Sequence, residues 1–66
     1  MISIFLNGDP RAVAASNVTL LVSELSLPPE TLLVEHNGLA LHRSEWPSTA
    51  LKDGDRVEIL KVAAGG

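Results

Sequence analysis

Cysteine is absent from the 66 residues. Its absence removes disulfide staples, a thiolate nucleophile and cysteine-ligated zinc together. Hydrophobic packing must therefore hold the fold. Aromatic residues are scarce as well. Trp46 is one of only two, with Phe5, and in so small a domain it reads as a core plug rather than a stacking platform for a base or sugar. Positive charge is thin: Arg11, Arg43, Lys52, Arg56 and Lys61 are scattered through a chain of net charge −3. They form no contiguous basic patch for phosphate contacts, so nucleic acid is not an expected partner. No apolar run approaches the roughly 20 residues that span a bilayer, and no basic segment precedes the first strand pattern. The expectation is a soluble cytoplasmic protein without a membrane partner.

What is present suits one small domain. A chain of this length buries only about 60% of its unfolded surface, and a hydrophobic content of 45% supplies the core. Ile2, Ile4 and Leu6 alternate with Ser3 and Phe5 as in a strand, which Asn7-Gly8-Asp9 ends with a hairpin signal. A short second strand is expected over about Arg11 to Ala14, with Pro10 at its start and Val13 inward. Ser16-Asn17 offers an N-cap to a helix whose apolar stripe is Val18, Leu21, Val22 and Leu25. Pro28-Pro29 makes Leu27 the latest possible end of that helix.

Thr31 to His36 reads as a third strand, with Leu32, Val34 and His36 on one face and Leu33 and Glu35 on the other. Asn37-Gly38 is a second hairpin signal leading into Leu39-Ala40-Leu41. In the connector Arg43-Ser44-Glu45-Trp46-Pro47, Ser44 is positioned to cap a single helical turn. Lys52-Asp53-Gly54-Asp55 is a turn, and Arg56 to Lys61 the last strand, with Val57 and Ile59 inward and Glu58 and Leu60 outward. One helix between two hairpins, in a chain this short, buries its stripe only by crossing one face of a mixed sheet. The fold expected is α+β: a ubiquitin-like β-grasp with about five strands and one helix.

Few side chains carry chemistry. His36 and His42 titrate near neutrality, but no third ligand or partner is visible for either. No serine lies in a G-x-S-x-G turn, and Asp53 and Asp55 lack the longer pattern of a calcium loop, so they read as turn formers. Phe5, Leu33 and Leu60 fall opposite the inferred core, and three apolar residues on one open sheet face would make a patch suited to protein contact.

The last stretch, Val62-Ala63-Ala64-Gly65-Gly66, points to a function. Side chains shrink to nothing toward Gly66, and the segment lacks the charged and polar residues of a solvated disordered end. Residues 1–61 are expected to form the domain and 62–66 a flexible tail. Five residues beyond Lys61 reach about 17 Å at full extension. A Gly-Gly end passes through a channel too narrow for a side chain and presents its α-carboxylate.

Taken together, the first strand ending in Asn7, the Asn37-Gly38 hairpin, the Arg43-Ser44-Glu45-Trp46 connector, the Asp53-Gly54-Asp55 turn and the Ala64-Gly65-Gly66 ending resemble the ThiS-type sulfur carriers of thiamin biosynthesis. The likeness covers the whole chain. His36 departs from it, since such carriers usually have an aliphatic residue there, as does His42, where proline is common. The resemblance implies a carrier rather than an enzyme, with no cofactor bound to itself. An E1-like adenylating enzyme would use ATP and Mg²⁺ to activate the Gly66 carboxylate. Sulfur from a cysteine desulfurase or persulfide donor would convert it to a thiocarboxylate, and a thiazole synthase would receive that sulfur. Val62, Ala63 and Ala64 would line the partner's entry channel, Gly65 would give a narrow, flexible approach, and Leu60 with the outer sheet face would dock on the partner. Three alternatives stay open: a carrier for another pathway such as molybdopterin synthesis, a ubiquitin-like protein modifier, and a non-covalent interaction module.

Overall fold

Alternating apolar residues make β1 (Ile2–Leu6) a strand, and Asn7 and Gly8 turn the chain tightly at φ 50° and 88°. Both residues are left-handed, the combination whose twist matches a two-residue hairpin. Pairing therefore resumes at once. β2 (Asp9–Val13) begins two residues before the expected Arg11 and stops at Val13 rather than Ala14, with Asp9 opposite Leu6 and Val13 opposite Ile2. Pro10 sits inside β2, where an edge strand tolerates its missing N–H. The structure, a computed structural model, describes residues 1–62.

Asn17 caps α1 (Val18–Glu24) as the sequence predicts, its side chain accepting from the Leu20 N–H at 2.8 Å. The buried stripe is Val18, Leu21 and Val22. The helix closes well before Leu27. Ser26 turns left-handed at φ 57°, and the Leu27 N–H donates back to the Val22 carbonyl at 3.2 Å, which satisfies a terminal acceptor. The Glu24 carboxylate accepts from the N–H groups of Ala14 and Ala15, tying the end of α1 to the end of β2.

Thr31 belongs to a 3-10 turn, Pro29–Thr31, rather than to the third strand, and β3 is Leu32–His36. A second left-handed Asn-Gly pair at 37–38 leads into β4 (Leu39–Leu41). The connector is a longer 3-10 segment, Arg43–Ser48, and Ser44 does not cap it. His42 holds the cap position: its N–H donates to Glu45 Oε1 at 2.8 Å while the Glu45 N–H donates to its carbonyl at 2.9 Å. Trp46 is core, as its rarity suggests, at 3% exposure. The last strand is β5 (Arg56–Lys61).

The strand order is β2-β1-β5-β3-β4, with β1 parallel to β5 and the other pairs antiparallel. The final strand thus lies in the centre. The connection between the parallel β1 and β5 runs through every element between them, and α1 links β2 to β3 across one face of the sheet. Ile4, Val13, Val18, Leu21, Val34 and Val57 are the largest side chains sealed between them. This is the expected β-grasp.

Candidate functional site at the root of the C-terminal segment

Val57 and Ile59 anchor β5 in the core, while Glu58 and Leu60 face outward. On its β3 flank the ladder runs from Val57 opposite His36 to Lys61 opposite Leu32. The Val62 N–H then donates to the Thr31 carbonyl at 2.8 Å. The ordered root therefore includes the Val62 amide, one residue beyond Lys61.

On the β1 flank, backbone pairing covers only Phe5 with Arg56 and Leu6 with Val57. The Asn7 N–H adds a bond to the Val57 carbonyl at 2.9 Å. Beyond it the Asn7 side chain takes over: Oδ1 accepts from the Ile59 N–H at 2.8 Å, and Nδ2 donates to the Ile59 carbonyl at 3.2 Å. The other Asn-Gly turn grips the start of the same strand. Asn37 exchanges bonds with Arg56, its N–H donating to the Arg56 carbonyl and its Oδ1 accepting from the Arg56 N–H, each at 2.8 Å.

Leu60 is 55% exposed and lies directly across from Leu33, also 55% exposed. Phe5 shares their face but sits opposite Arg56, four residues back along β5, or about 13 Å at the strand rise. Glu58 and Glu35 face each other in the interval. The expected patch is thus a Leu33–Leu60 pair near the root and a separate Phe5. Val62 is 42% exposed. Ala63, Ala64, Gly65 and Gly66 lie outside the described residues.

Besides the grips of Asn7 and Asn37 on β5, the sequence carries no sign of one further pairing. His36 Nε2 lies 2.7 Å from Asp55 Oδ2, the one ion pair within 4 Å among the described residues. No spacing signal marks it, since the partners are 19 residues apart. Asp55 also accepts from the Lys52 N–H at 3.0 Å and from Asn37 Nδ2 at 3.2 Å. Asp53 accepts from the Ser3 N–H at 2.8 Å, so both aspartates do more than form the turn. Among the described residues no three His, Asp or Glu side chains converge as metal ligands.

Partial burial pushes the Asp55 carboxyl up. The bonds from His36, the Lys52 amide and Asn37, with the His36 charge, together outweigh that and hold it below the ordinary 3.8. A carboxyl lowered on folding contributes stability above its unfolded pKa and loses it as pH falls through the folded one. Replacing Asp55 with Asn is therefore expected to lower the wild-type melting temperature at pH 6 and to narrow the gap between the two proteins below about pH 4. Thermal melts of both from pH 7 to 2.5 check this.

The geometry of the root can be set beside known proteins. The model of the ThiS family matches residues 4–66. The chain belongs to the ThiS family. The sulfur carrier protein ThiS of Thermus thermophilus is 30% identical over 63 residues, covering 96% of this chain and 98% of that protein. The crystal structure of the thiamine biosynthesis protein ThiS of Geobacter metallireducens superposes with a TM-score of 0.85 at 39% identity, covering 98% of this chain and 100% of that one. A protein of Paramagnetospirillum magneticum named thiazole synthase is 33% identical over 64 residues, or 96% of this chain. This ThiS-family chain spans 20% of that protein's length. No helix among the described residues is long and apolar enough to cross a membrane.

Proposed function

We infer that this ThiS-family protein is a sulfur carrier for thiazole formation in thiamin biosynthesis, with the Gly66 carboxylate as its working group. The observation that carries the reading is the root: a central strand gripped on both flanks to Ile59, and on one flank to Val62, immediately before Ala63-Ala64-Gly65-Gly66. A rigid base and a terminus of minimal cross-section suit presentation to another protein's active site. The chain supplies presentation, and its partners supply catalysis.

A terminal carboxylate, with an ordinary pKa of about 3.3 to 3.7, is ionised at neutral pH and resists nucleophiles. Activation must come first. In the proposed sequence a carboxylate oxygen attacks the α-phosphate of Mg-ATP on an adenylating enzyme, giving the acyl-adenylate and releasing pyrophosphate. Hydrosulfide attack would then form the C–S bond, expel AMP and leave a thiocarboxylate. With a desulfurase or other persulfide donor, an acyl disulfide forms first. A second thiol cleaves it, releasing the thiocarboxylate and ending in a disulfide itself.

Thiazole synthase as the acceptor is supported by the Paramagnetospirillum relative, in which a stretch like this chain is part of a longer protein of that name. Leu60, paired with Leu33, supplies apolar surface beside the root for docking, and Val62 through Gly65 would follow it into the partner's channel. Incubation of the intact chain with the adenylating enzyme, ATP and a sulfur source should raise its mass by about 16 Da, sulfur replacing one oxygen in the acyl transfer. An unchanged mass with a demonstrably active enzyme would overturn the reading. Conjugates to lysines of other proteins would favour a modifier instead.

A further inference from the structure

β5 is supported unequally on its two flanks. Toward β3 the ladder continues to Lys61 and Val62, whereas β1 ends at Leu6 and supplies no strand residue to meet Ile59. Asn7 fills that gap. A primary amide carries a donor and an acceptor together, as a peptide unit does, and Asn7 spends both on the N–H and carbonyl of one residue 52 positions away. Asparagine also accepts the φ of 50° that the hairpin requires. One residue therefore makes the turn and extends the sheet.

Asn37 is the natural comparison. It too opens a two-residue turn at φ 50°, and it too grips β5, at Arg56. The two turns hold opposite ends of one strand. Asn7 holds the end from which the carrier segment departs, and Asn37 the end away from it.

We propose that Asn7 is a positioning residue for the terminus, fixing the direction in which the chain leaves the sheet so that a partner receives a root already ordered. The proposal rests on the carrier reading above. Without the clamp, two-sided support ends at Val57 rather than Ile59, which lengthens the one-sided segment by two residues, or about 6.6 Å. The partner must then order that segment on binding. Ordering costs association, so it raises KM for the carrier while leaving the bound reaction much as before.

The test compares Asn7→Gly with Asn37→Gly. Glycine adopts the left-handed turn freely, so each variant removes side-chain bonds and keeps the hairpin. Pyrophosphate release by the adenylating enzyme is measured with the full chain as varied substrate, at a temperature where circular dichroism shows both variants folded. Asn7→Gly is expected to raise KM roughly fivefold, the factor expected from loss of a typical net hydrogen-bond contribution, with kcat within about twofold. Its amide exchange should quicken at Ile59, Leu60, Lys61 and Val62. Asn37→Gly should quicken exchange at Arg56 and Val57 and leave KM within about twofold of wild type. A purely structural role for Asn7 makes the two variants alike, and equal KM values overturn the proposal. If Asn7→Gly does not fold, Asn7→Asp replaces it under the same criteria, since it keeps the acceptor and loses the donor. No turnover of the wild-type chain by an active enzyme sinks the carrier reading and this proposal together. Turnover of wild type with equal KM for the variants sinks the proposal alone.

Discussion

Conversion of the Gly66 carboxylate to a carboxamide is expected to abolish sulfur loading, with pyrophosphate release at the level of an enzyme given no carrier. The substitution leaves the chain length, the β5 clamp and the core untouched. In the proposed sequence it removes the anionic oxygen that attacks the α-phosphate, and a neutral amide oxygen is a poor substitute. Deletion of Gly66 tests the same point by distance. The new carboxylate of Gly65 falls short by about 3.5 Å, one residue of extended chain. A misplacement of about 1 Å already costs on the order of 10²-fold in a positioned reaction. Loading of the deleted chain should therefore fall by at least that factor. Circular dichroism should show both variants folded as wild type, because the described core ends with Ile59. Normal loading of the amidated chain would remove Gly66 from the mechanism.

Replacement of Ile4 with alanine should have a large effect on stability. Ile4 is fully buried on β1, in one cluster with Val13 of β2, the Val18, Leu21 and Val22 stripe of α1, and Val57 of β5. Truncating a buried isoleucine costs about 2–5 kcal/mol through lost transfer energy and the cavity left behind. The whole margin for a domain of this length is roughly 3–10 kcal/mol. Taking about 3 kcal/mol, the melting temperature should fall by roughly 12–24 °C at the sensitivity of small domains. Leu33→Ala is the control. Leu33 is as apolar but 55% exposed, and its truncation should stay within about 0.5 kcal/mol. Calorimetry on the three proteins checks both. Similar losses for Ile4→Ala and Leu33→Ala would mean that the sheet packs through its other face.

The two substitutions differ in how well the sequence announces them. Ile4 is legible because burial on one side of a strand imposes a period of two, and Ile2, Ile4 and Leu6 carry it. The α1 stripe is legible for the same reason at the helical period. Boundaries were less so. β2 starts at Asp9 because a left-handed Asn-Gly pair reverses the chain in two residues, and α1 stops at Glu24 because Ser26 turns left-handed. Neither event leaves a periodic trace. Alternation likewise places Phe5, Leu33 and Leu60 on one outward face, but only register shows that Leu33 and Leu60 are paired while Phe5 sits opposite Arg56.

Sequence alone determined the order of strands and helix, the inward positions of Ile4, Val13, Val34, Val57 and Ile59, and the likeness to the family, because local periodicity and short motifs encode these. Tertiary structure decided what grips β5. The Asn7 bonds to Ile59 span 52 residues, and those of Asn37 and His36 to Asp55 and Arg56, where the last turn enters β5, span 18 or 19. A side-chain amide or imidazole shows no preference for such a partner until the sheet has brought the two within about 3 Å, the range in which a hydrogen bond forms. Both Asn-Gly pairs announce a turn; only the assembled sheet gives their side chains a strand to hold.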